Sequence, residues 1–179
     1  MYKRQFVDRT SGRADTFYDG PIVSHFSPAD MYDETLRKLA VETIKEHGIF
    51  AHDGGTVVVI LGPRFSTKSE SQWFTSAVWE IINMTQYPEA YLCHELGMAV
   101  VNISLVTDFD CGVVAGVEAV NAHNVLEVFK SNAENARKVV LDLIKKMPAD
   151  LDSLGKKEAL KYTRGDGHAS SEYDIRIFD

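Results

Sequence analysis

Asp108 and Asp110 are the residues best placed to do chemistry. They flank Phe109 directly after the apolar run 98–106. Two acids set against apolar chain must be solvated, paired or turned toward a ligand. Two other short segments carry reactive groups in comparable positions. Gly62-Pro63-Arg64-Phe65-Ser66-Thr67 follows the apolar run 56–61, and Asn83-Met84-Thr85 closes the short stretch 80–84. Each admits an ordinary reading: a Gly-Pro turn, a Ser66-Thr67 helix cap, a helix entry after Asn83, a solvated acidic loop. Their convergence argues for more. Ligands of open α/β sheets bind beyond the carboxyl ends of the strands. Three such ends, separated in sequence, are expected along one edge of a sheet and around one pocket.

The elements that must position these groups are legible from periodicity. Residues 5–10 read as the end of a strand entering a long polar loop, 8–26, and loops of that length are usually functional. Ser27-Pro28-Ala29-Asp30 predicts a helix start: hydroxyl cap, proline at the first position, acid in the first turn. Leu36, Leu39, Ala40, Thr43 and Ile44 continue its stripe, with Asp33/Arg37 and Glu34/Lys38 as i,i+4 pairs, and Gly48 ends it. The run 56–61 lacks alternation, as a strand covered on both faces does. Then follow a helix over 67–79, a short strand over 80–84, a helix over 88–96 closed by Gly97, and a second buried strand over 98–106. Val125, Phe129, Ala133, Ala136, Val140, Leu143 and Met147 mark a long amphipathic helix over 121–147. Beyond Pro148 a helix over 156–163 and a tail are expected. Strands alternating with helices predict a single α/β domain over 1–179 with a mainly parallel sheet.

Composition removes several classes. The formal charge is −7 with no basic stripe, which argues against nucleic acid as a partner. The apolar runs are too short to cross a bilayer, and residues 1–5 lack the apolar run of a signal peptide. Two cysteines, Cys93 and Cys111, make no disulfide framework and fit a reducing cytoplasm. None of the six histidines has a metal-ligand spacing; His47 and His52 stand five apart across a glycine. No metal and no cofactor are expected. Met1-Tyr2-Lys3-Arg4-Gln5 resembles a translated transposon-end adapter, so an open reading frame cut at its upstream side is expected.

Taken in order, Gly62-Pro63-Arg64-Phe65-Ser66-Thr67 with Glu70, Asn83-Met84-Thr85 with Pro88-Glu89, and Thr107-Asp108-Phe109-Asp110 resemble the successive motifs of the methylthioadenosine phosphorylases. Phe6-Val7-Asp8-Arg9-Thr10 and Phe17-Tyr18-Asp19-Gly20 resemble the segment before them. The resemblance covers about residues 5–147 and matches the later part of a full-length member. It implies a nucleoside phosphorylase-like α/β/α sandwich with a mixed, largely parallel sheet, here N-terminally truncated. The reaction it implies is phosphorolysis of a purine nucleoside, with inorganic phosphate as co-substrate.

Residue by residue, the resemblance makes Asp108 the acid that meets the base at N7 and the 6-amino group, with Phe109 beside it and Asp110 as a second acceptor. An exocyclic amine offers hydrogens and suits carboxylates. A hydrogen bond given to N7 requires one carboxyl to be raised from its usual pKa of about 3.9. Phe65 is implied to stack on the purine and Ser66 to line the base site. Met84 is implied beneath the ribose and Thr85 on the phosphate. His25 is implied to reach a neighbouring subunit's 5′ site, which makes the assembly a trimer or hexamer. Ala122, Val125 and Leu126 are implied to line the 5′ pocket, an apolar wall favouring an alkylthio group; a one-residue shift brings in His123 instead. Leu61 departs from the family, which has an acid there. The glycine-rich phosphate loop and the Arg-His and Thr-Ala phosphate segments have no counterpart, so of the phosphate ligands Thr85 alone is expected here and the chain is expected to be inactive by itself. The alternatives are a phosphorylase of 6-oxopurine nucleosides and a non-catalytic nucleoside-binding module.

Overall fold

A computed structural model describes residues 4–18, 24–111, 114 and 116–148. The expected helix over 156–163 and the tail lie outside the described residues. Three parallel strands form one sheet in the order β1 (Arg4–Arg9), β2 (Gly55–Ile60), β3 (Ile81–Asn83). Phe6 pairs with Val57 and Val59 with Asn83, so the three carboxyl ends fall on one edge. β2 is central, and Val58 and Val59 are fully enclosed, as its unbroken apolar run requires. No antiparallel pair occurs among the described residues.

Helix α1 (Glu34–Glu46) begins six residues later than its Ser27 signal suggests. Asp33 is the cap: its carboxylate accepts from Leu36 N at 2.9 Å, and its own N–H donates to Val100 O at 2.7 Å. Met31, fully buried, and that bond to segment 98–106 anchor the start, while the Ser27 hydroxyl serves a local turn to Ala29 N. With Asp33 spent on the cap, Arg37 pairs with Glu34 at 2.8 Å and with Asp53 instead; the Glu34/Lys38 pair forms at 3.7 Å.

Helix α2 (Lys68–Ser76) is capped by Thr67 in a reciprocal box with Glu70. Helix α3 (Gln86–Glu95) starts two residues before Pro88, and Tyr87 within it is extended, as a residue before proline tends to be. Gly97 at φ 73° ends α3, with Met98 N bonded to Cys93 O and Gly97 N to His94 O.

Residues 98–106 are not a strand. Their described backbone bonds run from Asp33 N to Val100 O and from Met98 N to Cys93 O, and no ladder forms. The stretch is half-buried where a second covered strand was expected. Helix α4 (Ala122–Lys146) has the expected length, but only Val139 and Leu143 are buried. It packs on α1 through its carboxyl half, fastened there by Asp142 to His47 at 3.3 Å and by Lys146 to Glu46, while Lys146 and Asp142 also pair within α4 at 3.1 Å. Phe129 and Val140, expected inside, lie exposed.

Candidate functional site at the carboxyl edge of the sheet

The first turn on this edge follows β2. Gly62 sits at φ +69°, and a Cβ built on it would lie 2.7 Å from Met84 Sδ. The absence of a side chain therefore lets the end of β3 close on the end of β2. Arg64 grips Glu70 with both guanidinium nitrogens, at 2.8 and 2.7 Å, and also donates to Phe65 O at 3.0 Å. Glu70 in turn accepts from Thr67 N at 2.7 Å. Phe65 and Ser66 thus hang between a clamp and a cap. Phe65 is 39% exposed, whereas Ser66 is buried with its hydroxyl unbonded.

The clamp has a pH signature. The Arg64 guanidinium and the Thr67 N–H hold the Glu70 carboxyl down at about 2, against the usual 4.5. A depressed folded value means a contribution complete above pH 4.5 and lost as the pH falls toward 2. Wild type is expected to exceed Glu70→Gln in stability at pH 7, and the two to converge as the pH falls from 4.5 to 2. Urea unfolding at pH 7, 4 and 2.5 checks this. A constant difference across the series would mean that the ion pair is not its source. The pair is exposed, so added salt narrows the gap.

The second turn carries Asn83, whose Oδ1 accepts from Gln86 N at 3.3 Å, and then Met84, half-buried under Gly62. Thr85 is the N-cap of α3, is exposed, and makes no side-chain cap bond, so its hydroxyl remains available beside the helix N-terminus.

The acid pair follows residues 98–106, which form no strand, so it is not the third strand end that the sequence led one to expect. Asp108 Oδ2 accepts from Thr107 Oγ1 at 2.6 Å and Oδ1 accepts from Asp110 N at 2.8 Å. Asp110 takes a left-handed φ of 60°, a conformation that disfavours an L-residue by about 1–2 kcal/mol. Its Oδ2 is buried without a partner. Thr10 Oγ1, just past the end of β1, is likewise buried and unbonded. Unsatisfied buried polar atoms in a folded protein call for an explanation.

Of the other residues singled out by sequence, Phe109 is exposed and His25 is an exposed loop residue beside buried Ser24. Val120 N donates to Asp110 O at 2.7 Å, which brings the start of α4 back to the acids. There Ala122 is exposed, Leu126 is 57% exposed and Val125 is half-buried, so they form an open surface rather than a closed wall. A cavity of about 480 Å³ is bounded by Gly55 and Ile81 at the amino ends of the strands, by α1, by 101–106, by Phe109 and by α4. Among the described residues no group of three or more His, Cys, Asp or Glu could hold a metal ion, and no helix is long and apolar enough to cross a membrane.

The sequence showed the long loop over 8–26 but not the contacts by which it covers α3. Thr16 Oγ1 and Phe17 N donate to the buried Glu95 carboxylate at 2.7 and 2.6 Å. Tyr87 donates its hydroxyl to Asp15, and Arg13 donates to the carbonyls of Tyr87 and Leu61. Thr107 and Thr10 were missed as well. A charged or hydroxylated residue in a polar loop reads as solvated, and only its partners far along the chain reveal otherwise.

Parallel strands whose carboxyl ends gather an aromatic ring, a thioether and unspent hydroxyls define an α/β domain with a candidate small-molecule site on its sheet edge. The phosphorylase superfamily matches residues 3–145, and the chain belongs to that family. It is 46% identical over 146 residues to the S-methyl-5'-thioadenosine phosphorylase of Pyrococcus abyssi, covering 82% of this chain and 55% of that protein. It is 51% identical over 136 residues to that of Mycobacterium tuberculosis, covering 76% and 49%. A purine nucleoside phosphorylase of Streptomyces coelicolor is 40% identical over 153 residues, covering 81% and 54%. The chain thus spans about half the length of the relatives it matches. The methylthioadenosine phosphorylase from Schistosoma mansoni in complex with adenine superposes with a TM-score of 0.81 at 29% identity, over 90% of this chain and 64% of that one.

Proposed function

We propose that this sequence supplies the base and ribose side of a nucleoside phosphorylase that cleaves S-methyl-5'-thioadenosine with inorganic phosphate to adenine and 5-methylthioribose 1-phosphate. The carrying observation is the acid pair, with Asp110 Oδ2 buried and unbonded. A carboxylate oxygen in that state suits a ligand that brings hydrogens, as a 6-amino group does. Phe65 stacks on the base and Ser66 hydrogen-bonds along its edge. Asp108 faces N7, and a proton passed from its carboxyl to N7 makes the purine a better leaving group as positive charge grows on the ribose. Met84 packs beneath the sugar, and Thr85 holds phosphate against the anomeric carbon.

Neither a metal nor an organic cofactor enters this scheme. In the active assembly, a trimer or a pair of trimers, His25 and the apolar start of α4 (Ala122, Val125, Leu126) border the 5′ substituent. An apolar border favours methylthio over hydroxyl, because a buried unpaired hydroxyl is disfavoured by about 1–3 kcal/mol. The working compartment is the cytoplasm.

Phosphate-dependent release of adenine from methylthioadenosine tests the proposal, measured on the 179 residues and on a longer polypeptide containing them. Turnover is expected only in the longer one, because Thr85 is the one phosphate ligand proposed here. Activity of the short chain would overturn that expectation, and inactivity of both would overturn the function. The Streptomyces coelicolor relative favours a second reading, a phosphorylase of 6-oxopurine nucleosides. Inosine preferred over methylthioadenosine at equal concentration would establish it.

A further inference from the structure

Arg13 lies in the polar loop after β1, outside every motif that suggested a site. Its guanidinium nevertheless joins two of the turns described above. Nη2 donates to Leu61 O at 3.2 Å, one residue before the Gly62 turn. Nη1 donates to Tyr87 O, two residues beyond Thr85. The second carbonyl is free to accept because Tyr87 is extended (φ −107°, ψ 130°) inside the first turn of α3, which turns its oxygen away from the helix axis. The same residue is held at its other end by Asp15, and the far end of α3 is fastened by Glu95 to Thr16 and Phe17. Leu61, half exposed, contributes to this through its backbone.

We infer that Arg13 is a positioning residue, whose planar fork sets the distance between the Phe65–Ser66 turn and the Met84–Thr85 turn. A guanidinium presents several donors in one rigid plane and can hold two carbonyls in a fixed relation, whereas an ammonium is a single point charge on a flexible stem. The consequence depends on how much of the site a ligand spans. Under the function proposed above, on which this inference rests, adenine alone meets the base side, but methylthioadenosine and phosphate together bridge both turns. Loosening the fork therefore weakens the bridging ligands and spares the base.

The test is Arg13→Lys in the full-length polypeptide, with Arg13→Gln as a second variant should lysine prevent folding. Adenine affinity is expected to stay within twofold of wild type. Methylthioadenosine affinity is expected to fall about tenfold and the KM for phosphate to rise, with the melting temperature little changed. If all three ligands are unaffected, or if all weaken together with the melting temperature, the inference is overturned. It is overturned too if neither variant folds, since Arg13 then acts on the fold as a whole. A wild-type protein that neither binds adenine nor releases it from a nucleoside defeats the functional reading instead, and is distinguished by being seen before any substitution.

Discussion

Asp108→Asn is expected to lower kcat/KM for methylthioadenosine by a factor on the order of 10² to 10⁴, the range for removing a positioned acid or base. The loop itself is expected to survive. Asp108 Oδ1 accepts from Asp110 N and Oδ2 from Thr107 Oγ1. An asparagine keeps its oxygen on the Asp110 N–H, which has no rotatable alternative, and turns its NH2 toward Thr107, whose hydroxyl can rotate to accept. The amide holds no acid proton to pass to N7, where Asp108 stood. The loss is therefore chemical rather than structural, and an unchanged melting temperature is the control. The same substitution is expected to raise the relative rate on inosine, whose oxo group accepts from an amide. Equal rates for wild type and variant on methylthioadenosine would remove Asp108 from the reaction.

Gly62→Ala is expected to affect stability and binding for separable reasons. At φ +69° an added Cβ disfavours the backbone by about 1–2 kcal/mol. It would also stand 2.7 Å from Met84 Sδ. A methionine side chain adapts easily, so the clash is relieved by moving the thioether away from the place proposed for the ribose. Nucleoside affinity is expected to fall about tenfold. Adding Met84→Ala to Gly62→Ala removes the crowding but not the backbone term, so a double-mutant cycle over the two positions isolates the contact. Additive effects would mean that Gly62 matters for its backbone alone.

Much of the fold is written locally. The unbroken valine run of β2, the Thr67/Glu70 cap of α2 and the glycine after α3 each depend on groups within about six residues, and each lies where periodicity and capping rules put it. Elements whose definition depends on distant partners are different. Ser27 carries the local cap signal, but the helix is capped by Asp33, whose N–H reaches Val100. Residues 98–106 have the composition of a covered strand, but a strand exists only where a ladder partner does. The apolar stripe of α4 is buried only where α1 meets it.

The site divides in the same way. By its own spacing the sequence determined that an aromatic-hydroxyl pair, a Met-Thr pair and an acid pair follow three apolar segments, because side-chain chemistry and short-range periodicity are local properties. The tertiary structure decided the rest. It closed Met84 onto Gly62, set Asp110 in a left-handed turn with one oxygen unbonded, and carried Arg13 across to Leu61 and Tyr87, 48 and 74 residues away. Such contacts depend on the parallel register that brings three strand ends to one edge, and register is a relation between segments that no single segment contains.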